Sequence, residues 1–553
     1  MKTSNSDRQS IWLESWHPYI ILLAVVALVY GRTLSFGYTH FDDDILILDQ
    51  FDKLRQPSMI LEAFRSLFLR VYYRPIVTLS LVFDARIGGQ APWIYHSSNL
   101  LYHAIVCLIL FTLLRRFSVG PIQALMASLL FALHPVVTQA VAWIPGRNDT
   151  LVTLFLLLSL IAYMNYRESG GWHWIVVHWM FAGISMLTKE TALIFPAMIL
   201  SYHFIIERDS WKSRRLLISA GGWAFLVAGW YLLQRSVVGG RDEHVRISLS
   251  SILTNVRVPL EAMGKLAFPV QLSPYPTYSL LPTIAGIVAV AVFTMILVRR
   301  SKTEDRLQLF AIALMLLFLL PGLFVQFEDN EQRFDYLESR WYGVALGFAV
   351  LITDLMYRRG GSARSFGRKL LWAALPVLGV LTFMYTGTFS DPLTHWRRAV
   401  EMSPQASQAY FKMGLTLSNL SRDPAQAAEW YRKAIKLDPN IAMYHNNVGV
   451  LYGAMGLQSQ AMEEYRTAIK LDSTYLSAYG NLGYSEFLSG NYAATEQLWN
   501  HILAVDSTFP NVEFQLARLY ATWKKYPEAR YHIQKLQERG VPLDSLLSTV
   551  PRD

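Results

Sequence analysis

The sequence predicts an all-α protein, a polytopic helical membrane domain of about eleven spans followed by a soluble helical-repeat solenoid. Three observations carry this. The 553 residues are 53% hydrophobic and only 16% charged, against roughly 25% charged in an average soluble domain, and mean hydropathy is +0.25. The apolar residues gather before about residue 390 in runs long enough to cross a bilayer. Beyond that point a fixed 34-residue period takes over. Disordered, collagen-like and ordinary cytosolic chains are excluded. The single cysteine, Cys107, excludes an intrachain disulfide and a cysteine-based zinc cluster.

The apolar half spans residues 1–390. Its candidate spans are 18–36, 95–114, 119–137, 149–166, 173–188, 190–206, 216–235, 280–298, 307–325, 341–357 and 369–388, each near the ~20 residues that a helix needs for ~30 Å of hydrocarbon. The first lacks a small-residue cleavage site and reads as an uncleaved anchor. Segment 255–272 carries Arg257, Glu261 and Lys265 at helical spacing and is expected to lie in the interface. The net charge of +9 sits wholly in this half, because residues 391–553 hold 16 basic and 16 acidic side chains. Its basic residues fall in short clusters: Arg115 and Arg116; Arg167; Arg208, Lys212, Arg214 and Arg215; Arg299, Arg300, Lys302 and Arg306; Arg358, Arg359, Arg364, Arg368 and Lys369. All of these lie in alternate loops, which puts the N-terminus in the cytoplasm and the repeats in a periplasm or organelle lumen. That distribution argues for membrane orientation and against nucleic acid as a partner.

The repeat half, 391–540, ends in a short tail, 541–553. Asp438, Asp472 and Asp506 recur 34 residues apart. Gly414, Gly449, Gly483 and Ala517 mark a close helix approach, and Tyr431, Tyr465 and Trp499 supply the large face. This pattern resembles the tetratricopeptide repeat, with a partial unit at 395–404 and four full units over 405–540; the first unit has one extra residue near Arg422, assigned to its turn. Such solenoids bind peptides in their groove, and Asn446, Asn447, Tyr479 and Asn481 are the candidate acceptor-groove residues. The periodic glycines and tyrosines themselves read as helix packing.

The first outside loop, 37–94, opens with YTHFDDDILILDQ. Three adjacent carboxylates, Asp42, Asp43 and Asp44, repel one another, which raises a pKa or invites a divalent cation; no other cofactor or metal site is indicated. Equally, such a run serves as a solvated turn or helix cap. A carboxylate here can act as general base on a hydroxyl. No HExxH, P-loop or GxGxxG pattern stands in a fitting context. His96 and His103, seven apart, read as an interhelical polar contact.

Residues 71–116, 132–163 and 184–200, with LESRWYGVALGF at 337–348, resemble in order and spacing the transmembrane-and-tetratricopeptide (TMTC-type) protein O-mannosyltransferases, part of the GT-C class of polyprenyl-phosphate-sugar-dependent glycosyltransferases. The resemblance covers about residues 18–390 plus the repeats. It implies a GT-C-like membrane domain, an acidic catalytic pair at Asp42 and Asp43, and a donor phosphate held by cationic groups near the membrane ends. The matching positions are Arg74, Arg147, His134, Lys189 and Arg340. Arginine suits phosphate through its bidentate fork, although each of these residues can also be a snorkelling or salt-bridged interface residue. Where the family has His-Pro-Val-His-Thr-Glu, this chain has His134-Pro135-Val136-Val137-Thr138-Gln139, which removes a second histidine and a carboxylate.

The expectation is therefore an enzyme of the bacterial inner membrane. It moves a mannose-like sugar from a polyprenyl-phosphate donor to an acceptor hydroxyl, a protein Ser or Thr, on the outer face, and the repeats present the acceptor protein. Membrane lipid is the remaining partner. The alternative is a non-catalytic membrane-anchored scaffold for envelope or lumenal partners. A transporter would show inverted repeats with broken helices, and no such symmetry stands out.

Overall fold

The computed structural model describes residues 15–69, 71–239, 245–247, 251–298, 306–327, 337–357, 361–421, 423–509 and 511–539. The tail 541–553, loop residues 328–336 and the basic residues Arg299, Arg300, Lys302, Arg358, Arg359 and Arg422 lie outside the described residues. The chain divides into two compact units, 1–403 and 404–553.

In the first unit every one of the eleven apolar stretches is helical. Among the described residues six helices are long and apolar enough to cross a membrane: His17–Ser35, Pro92–Arg116, Ile144–Ser169, Arg214–Val238, Arg306–Leu323 and Ser365–Phe389. Pro121–Ala132 and Pro135–Ala142 meet at 52° and make a seventh if counted as one broken span. Pro135 causes the break. Its ring removes a helical donor and pushes the preceding residue out of helical geometry, and His134 is extended at ψ 123°. Glu190–Ile206 and Leu280–Ile296 are shorter apolar helices. The protein is an integral membrane protein.

The polar contacts sort into two sets, one at each end of the bundle. At one end Arg116 meets Asn165 and Glu168, Arg167 meets Asp209 and Ser213, and Arg306 donates to the Ile206 carbonyl. At the other end Gly37 N donates to Ser390 O at 2.9 Å and Ile76 N to Leu187 O at 3.1 Å, while His134 reaches Leu266 O at 2.9 Å. The loops that carry the candidate residues therefore converge.

Two expectations change. Most of the polar face of the amphipathic helix Arg257–Ala267 turns inward: Arg257 is exposed, but Glu261 and Lys265 are buried. Glu261 accepts from Ser279 N and Thr283 Oγ1, and Lys265 donates to Glu338 at 2.8 Å. Amphipathic spacing marks one polar face, and that face meets buried partners here instead of lipid headgroups. The helix also packs so closely on Leu280–Val298 that a Cβ on Gly264 would stand 1.9 Å from Pro282 O. The second change is a two-stranded antiparallel pairing of Val245–Ile247 with Val325–Phe327 within the helical unit.

Helix Pro392–Met402, the expected partial repeat, falls within the first unit. Asp391 caps it by accepting from Thr394 N at 2.9 Å. The second unit holds four helix pairs: Ser407–Ser421 with Pro424–Leu437, Ala442–Ala454 with Gln458–Leu471, Leu476–Leu488 with Tyr492–Val505, and Val512–Thr522 with Tyr526–Glu538. The opening helix of the first pair has 15 residues against 13 in the next pair, and Arg422, near which the extra residue is expected, lies outside the described residues. Gly414, Gly449 and Gly483 lie under Tyr431, Tyr465 and Trp499, where a Cβ would come within 2.8, 2.6 and 2.3 Å of the ring.

Candidate functional site

The acidic loop is built from the inside out. Asp43 is 1% exposed. Its Oδ2 accepts from Thr39 N at 2.8 Å and Thr39 Oγ1 at 2.6 Å, which braces the turn. Burial pushes the Asp43 pKa up, and the two Thr39 donors only partly offset this. Asp44 pairs with His40 and raises that imidazole's pKa through their hydrogen bond. Asp42 keeps partial exposure. Because Asp43 turns to Thr39 and Asp44 to His40, the three carboxylates do not converge, and among the described residues no group of three or more His, Cys, Asp or Glu is arranged to hold a metal ion. The residues do not fit a cation at Asp42–Asp44.

Of the five cationic candidates, three come together. Arg74 stands at the start of helix Pro75–Gly88 and is tied to the 187–190 turn by the Ile76–Leu187 bond. Its guanidinium grips Glu190 through Nη2 at 2.8 Å and Nε at 3.2 Å, and lies 4.0 Å from the Tyr72 ring centroid. Burial works against its charge, but Glu190 outweighs that and its pKa rises. Lys189 pairs with Asp149. Burial takes the Lys189 pKa down to about 8; Asp149 opposes the fall, while Arg340 and Arg74 add to it. Arg340 is lowered by burial and feels Asp149 and Glu190 as attraction and Arg74 as repulsion. Arg74, Lys189 and Arg340 thus share one electrostatic neighbourhood with Asp149 and Glu190. Cations held this close together repel one another, which favours an added anion.

The other two candidates are engaged elsewhere. Arg147 is wholly buried. It donates to Asp84 at 2.7 Å, Ser80 Oγ at 3.1 Å and Tyr95 O at 2.9 Å, which locks helix Arg147–Ser169 to Pro75–Gly88 and Pro92–Arg116. His134 accepts from Val136 N through Nδ1, so its Nε2 is the donor to Leu266 O. In the repeats, Asn481 Nδ2 donates to Asn446 Oδ1 at 2.9 Å, Asn447 donates to Met443 O at 2.8 Å, and Tyr479 packs on His501 at 4.5 Å between centroids.

Residues 75–231 match the family model described as dolichyl-phosphate-mannose-protein mannosyltransferase, and residues 407–441 and 444–475 match the tetratricopeptide repeat. The human protein O-mannosyl-transferase TMTC2 is 41% identical over 143 residues, 25% of this chain and 17% of that one. Human protein O-mannosyl-transferase TMTC3 is 22% identical over 493 residues, 78% of this chain and 52% of that one. The chain resembles the TMTC-type O-mannosyltransferases. It spans about half the length of the longer match. ArnT from Cupriavidus metallidurans, solved bound to undecaprenyl phosphate, superposes with a TM-score of 0.40 at 13% identity, covering 89% of this chain and 81% of that one.

Within this TMTC-like chain the Gln139 departure has a structural reason. Its amide donates to Pro274 O at 2.8 Å and accepts from Ser339 N at 2.9 Å. A carboxylate supplies only the acceptor. One residue earlier in the 338–341 turn, Glu338 accepts from Lys265 Nζ and, at 3.1 Å and 3.0 Å, from Ser273 N and Tyr385 OH. Gln139, Lys265 and Tyr385 therefore fix from three sides the turn that bears Arg340. Sequence reasoning missed Asp84, Asp149, Lys265 and Glu338 as partners. The available signal was a lone acid in an otherwise apolar helix, as in VTLSLVFDARIG, which needs a buried counter-ion.

Proposed function

We propose that the protein is an integral membrane glycosyltransferase that moves a sugar from a polyprenyl-phosphate donor to an acceptor hydroxyl on the outer face. The observation that carries this is the grouping of Arg74, Lys189 and Arg340, which act on one another electrostatically beside Asp149 and Glu190. A polyprenyl phosphosugar is a phosphodiester with one negative charge, which a cluster of cations attracts. As the bond from the anomeric carbon to the phosphate oxygen breaks, its electron pair passes to the phosphate. The growing charge is met most strongly in the transition state, where such stabilisation accelerates reaction. The acceptor oxygen attacks the anomeric carbon and its proton goes to the acidic pair. Asp42 is assigned as the base because it keeps exposure, and Asp43 as the brace that shapes the turn. Arg147 and His134 act as scaffold. The basic clusters place the acidic loop and repeats outside, and the repeats present a protein acceptor, with the paired Asn446 and Asn481 lining the groove.

The test is transfer of labelled sugar from polyprenyl phosphate to protein by purified variants. Asp42→Asn should lower transfer by roughly 10²- to 10⁴-fold. Asp43→Asn should cost less, since an amide oxygen still accepts from Thr39. Full transfer by the Asp42→Asn/Asp43→Asn double variant would remove the enzyme reading and favour the scaffold.

A further inference from the structure

Phe41 immediately precedes the acidic pair. Its ring centroid lies 5.2 Å from Trp143, 5.3 Å from Trp396, and 5.9 Å from both Tyr275 and His395. His395 and Trp396 are wholly buried and Trp143 is 3% exposed. Yet among the described residues Trp143 Nε1, Trp396 Nε1 and both ring nitrogens of His395 find no hydrogen-bond partner. Neither does Asp43 Oδ1, two residues along from Phe41. Buried indoles normally find an acceptor. Elsewhere in this chain Trp223 donates to His178 and Trp499 to Gly480 O, and Trp230 stands alone as a further buried indole without a partner among the described residues, whereas here two such indoles and a histidine gather at one ring. A buried polar atom left without a partner is destabilising, and a core that needed only bulk would use phenylalanine. Four unpaired nitrogens around one phenyl ring are hydrogen-bonding capacity that the protein itself does not use.

The chemistry of that capacity is specific. Two indoles can only donate. Burial takes the His395 pKa down to about 3, so its neutral ring offers one donor and one acceptor in either tautomer. The node therefore carries no cation and suits no phosphate. It combines aromatic faces with several edge donors and an acceptor. That matches a pyranose, whose C–H faces are apolar and whose hydroxyls both give and accept hydrogen bonds. Phe41 and Tyr275 keep partial exposure.

We propose that the Phe41 node, with Trp143, Tyr275, His395 and Trp396, is the subsite that takes the pyranose ring of the donor beside Asp42. It rests on the glycosyltransferase reading and names where that enzyme recognises its sugar.

The full-length protein in nanodiscs is melted with mannosyl, glucosyl or galactosyl phosphate, and with inorganic phosphate as reference. At least one hexosyl phosphate should protect the wild type beyond inorganic phosphate. In Trp396→Phe and His395→Phe, which keep a buried ring, that excess should need roughly tenfold more ligand, the loss of one hydrogen bond, with the phosphate response unchanged. Without ligand both variants should melt at or above the wild type, because a buried polar atom with no partner among the described residues has been removed. Trp143→Phe reads the same node should either variant fold poorly. Unchanged sugar protection in the variants, or no sugar exceeding phosphate in the wild type, overturns the subsite. A wild type that shows sugar protection lost in the variants but transfers nothing from any polyprenyl phosphosugar keeps the subsite and sinks the transferase. Full transfer by the variants at an unchanged donor KM does the reverse.

Discussion

In the membrane unit Arg147 meets Asp84 at 2.7 Å with neither side chain exposed, and Lys265 meets Glu338 at 2.8 Å with exposures of 2% and 0%. In the repeat unit Arg466 meets Glu486 at 2.8 Å, but the arginine is 58% exposed. The same chemistry has opposite consequences. A buried pair cannot lose one member without stranding the other's charge, whereas a pair at the surface trades its partner for water. The repeats instead take their order from small residues under large rings, Gly449 under Tyr465 and Gly483 under Trp499. The membrane unit adds wholly buried Arg–Asp and Lys–Glu pairs to its close helix contacts, whereas the repeats rest chiefly on shape.

The strongest challenge to this contrast is Arg147→Met. It strands Asp84 and should cost the membrane unit about 3–5 kcal/mol, read as loss of monodisperse protein in detergent and a lower melting temperature. Adding Asp84→Leu should restore most of the loss. If Arg147→Met instead melts normally and binds donor lipid weakly, Arg147 is a phosphate ligand and the pair is not a structural lock.

The next effect compares one substitution across the two units. In Gly264→Ala the new Cβ meets backbone, Pro282 O at 1.9 Å and Gly286 N at 2.9 Å. Backbone cannot turn aside, so two helices must part, at the upper end of the roughly 1–3 kcal/mol of overpacking. The displaced helix also carries Lys265, which holds Glu338. Gly449→Ala meets chiefly the Tyr465 ring at 2.6 Å, which can tilt, and should cost about 1 kcal/mol. Parallel thermal scans of the two full-length variants check this. Equal losses would mean that the repeats are packed as rigidly as the membrane helices.

The two halves also differed in how far the sequence revealed them. The 34-residue period is the repeat fold itself, so the helix pairs and the Gly–Tyr contacts were readable from spacing. The membrane helices were readable as apolar runs, and Arg74, Lys189 and Arg340 as charges at their ends. Which cation met which anion was not readable, because Arg74 and Glu190 are 116 residues apart and Lys265 and Glu338 are 73 apart. Hydropathy likewise could not tell that Glu261 and Lys265 turn inward, since an interfacial helix and a helix with buried polar partners share one periodicity. Asp42 and Asp43 were equal candidates by motif, and the Thr39 contacts that set Asp43 apart were not readable from the sequence.

The smallest expected effect tests the repeat side by pH. His445 Nδ1 lies 2.7 Å from Glu464 Oε2 and its Nε2 lies 3.0 Å from Pro439 O. Both neighbours are acceptors, so the ring is best satisfied when doubly protonated. The Glu464 hydrogen bond raises the His445 pKa above its ordinary value, against some loss from burial. A histidine whose pKa is raised by folding contributes stability that is fully present below the unfolded value of about 6.5 and is lost as pH rises through the folded one. The pair is partly exposed, at 12% and 26%, so solvent screening limits the gain to about 0.2–1 kcal/mol. The repeat-unit melting transition should therefore fall slightly from about pH 6 to pH 8, and the fall should shrink in His445→Gln and at high salt. A decline that is the same size in His445→Gln would assign it to another group and leave the surface pair without measurable weight.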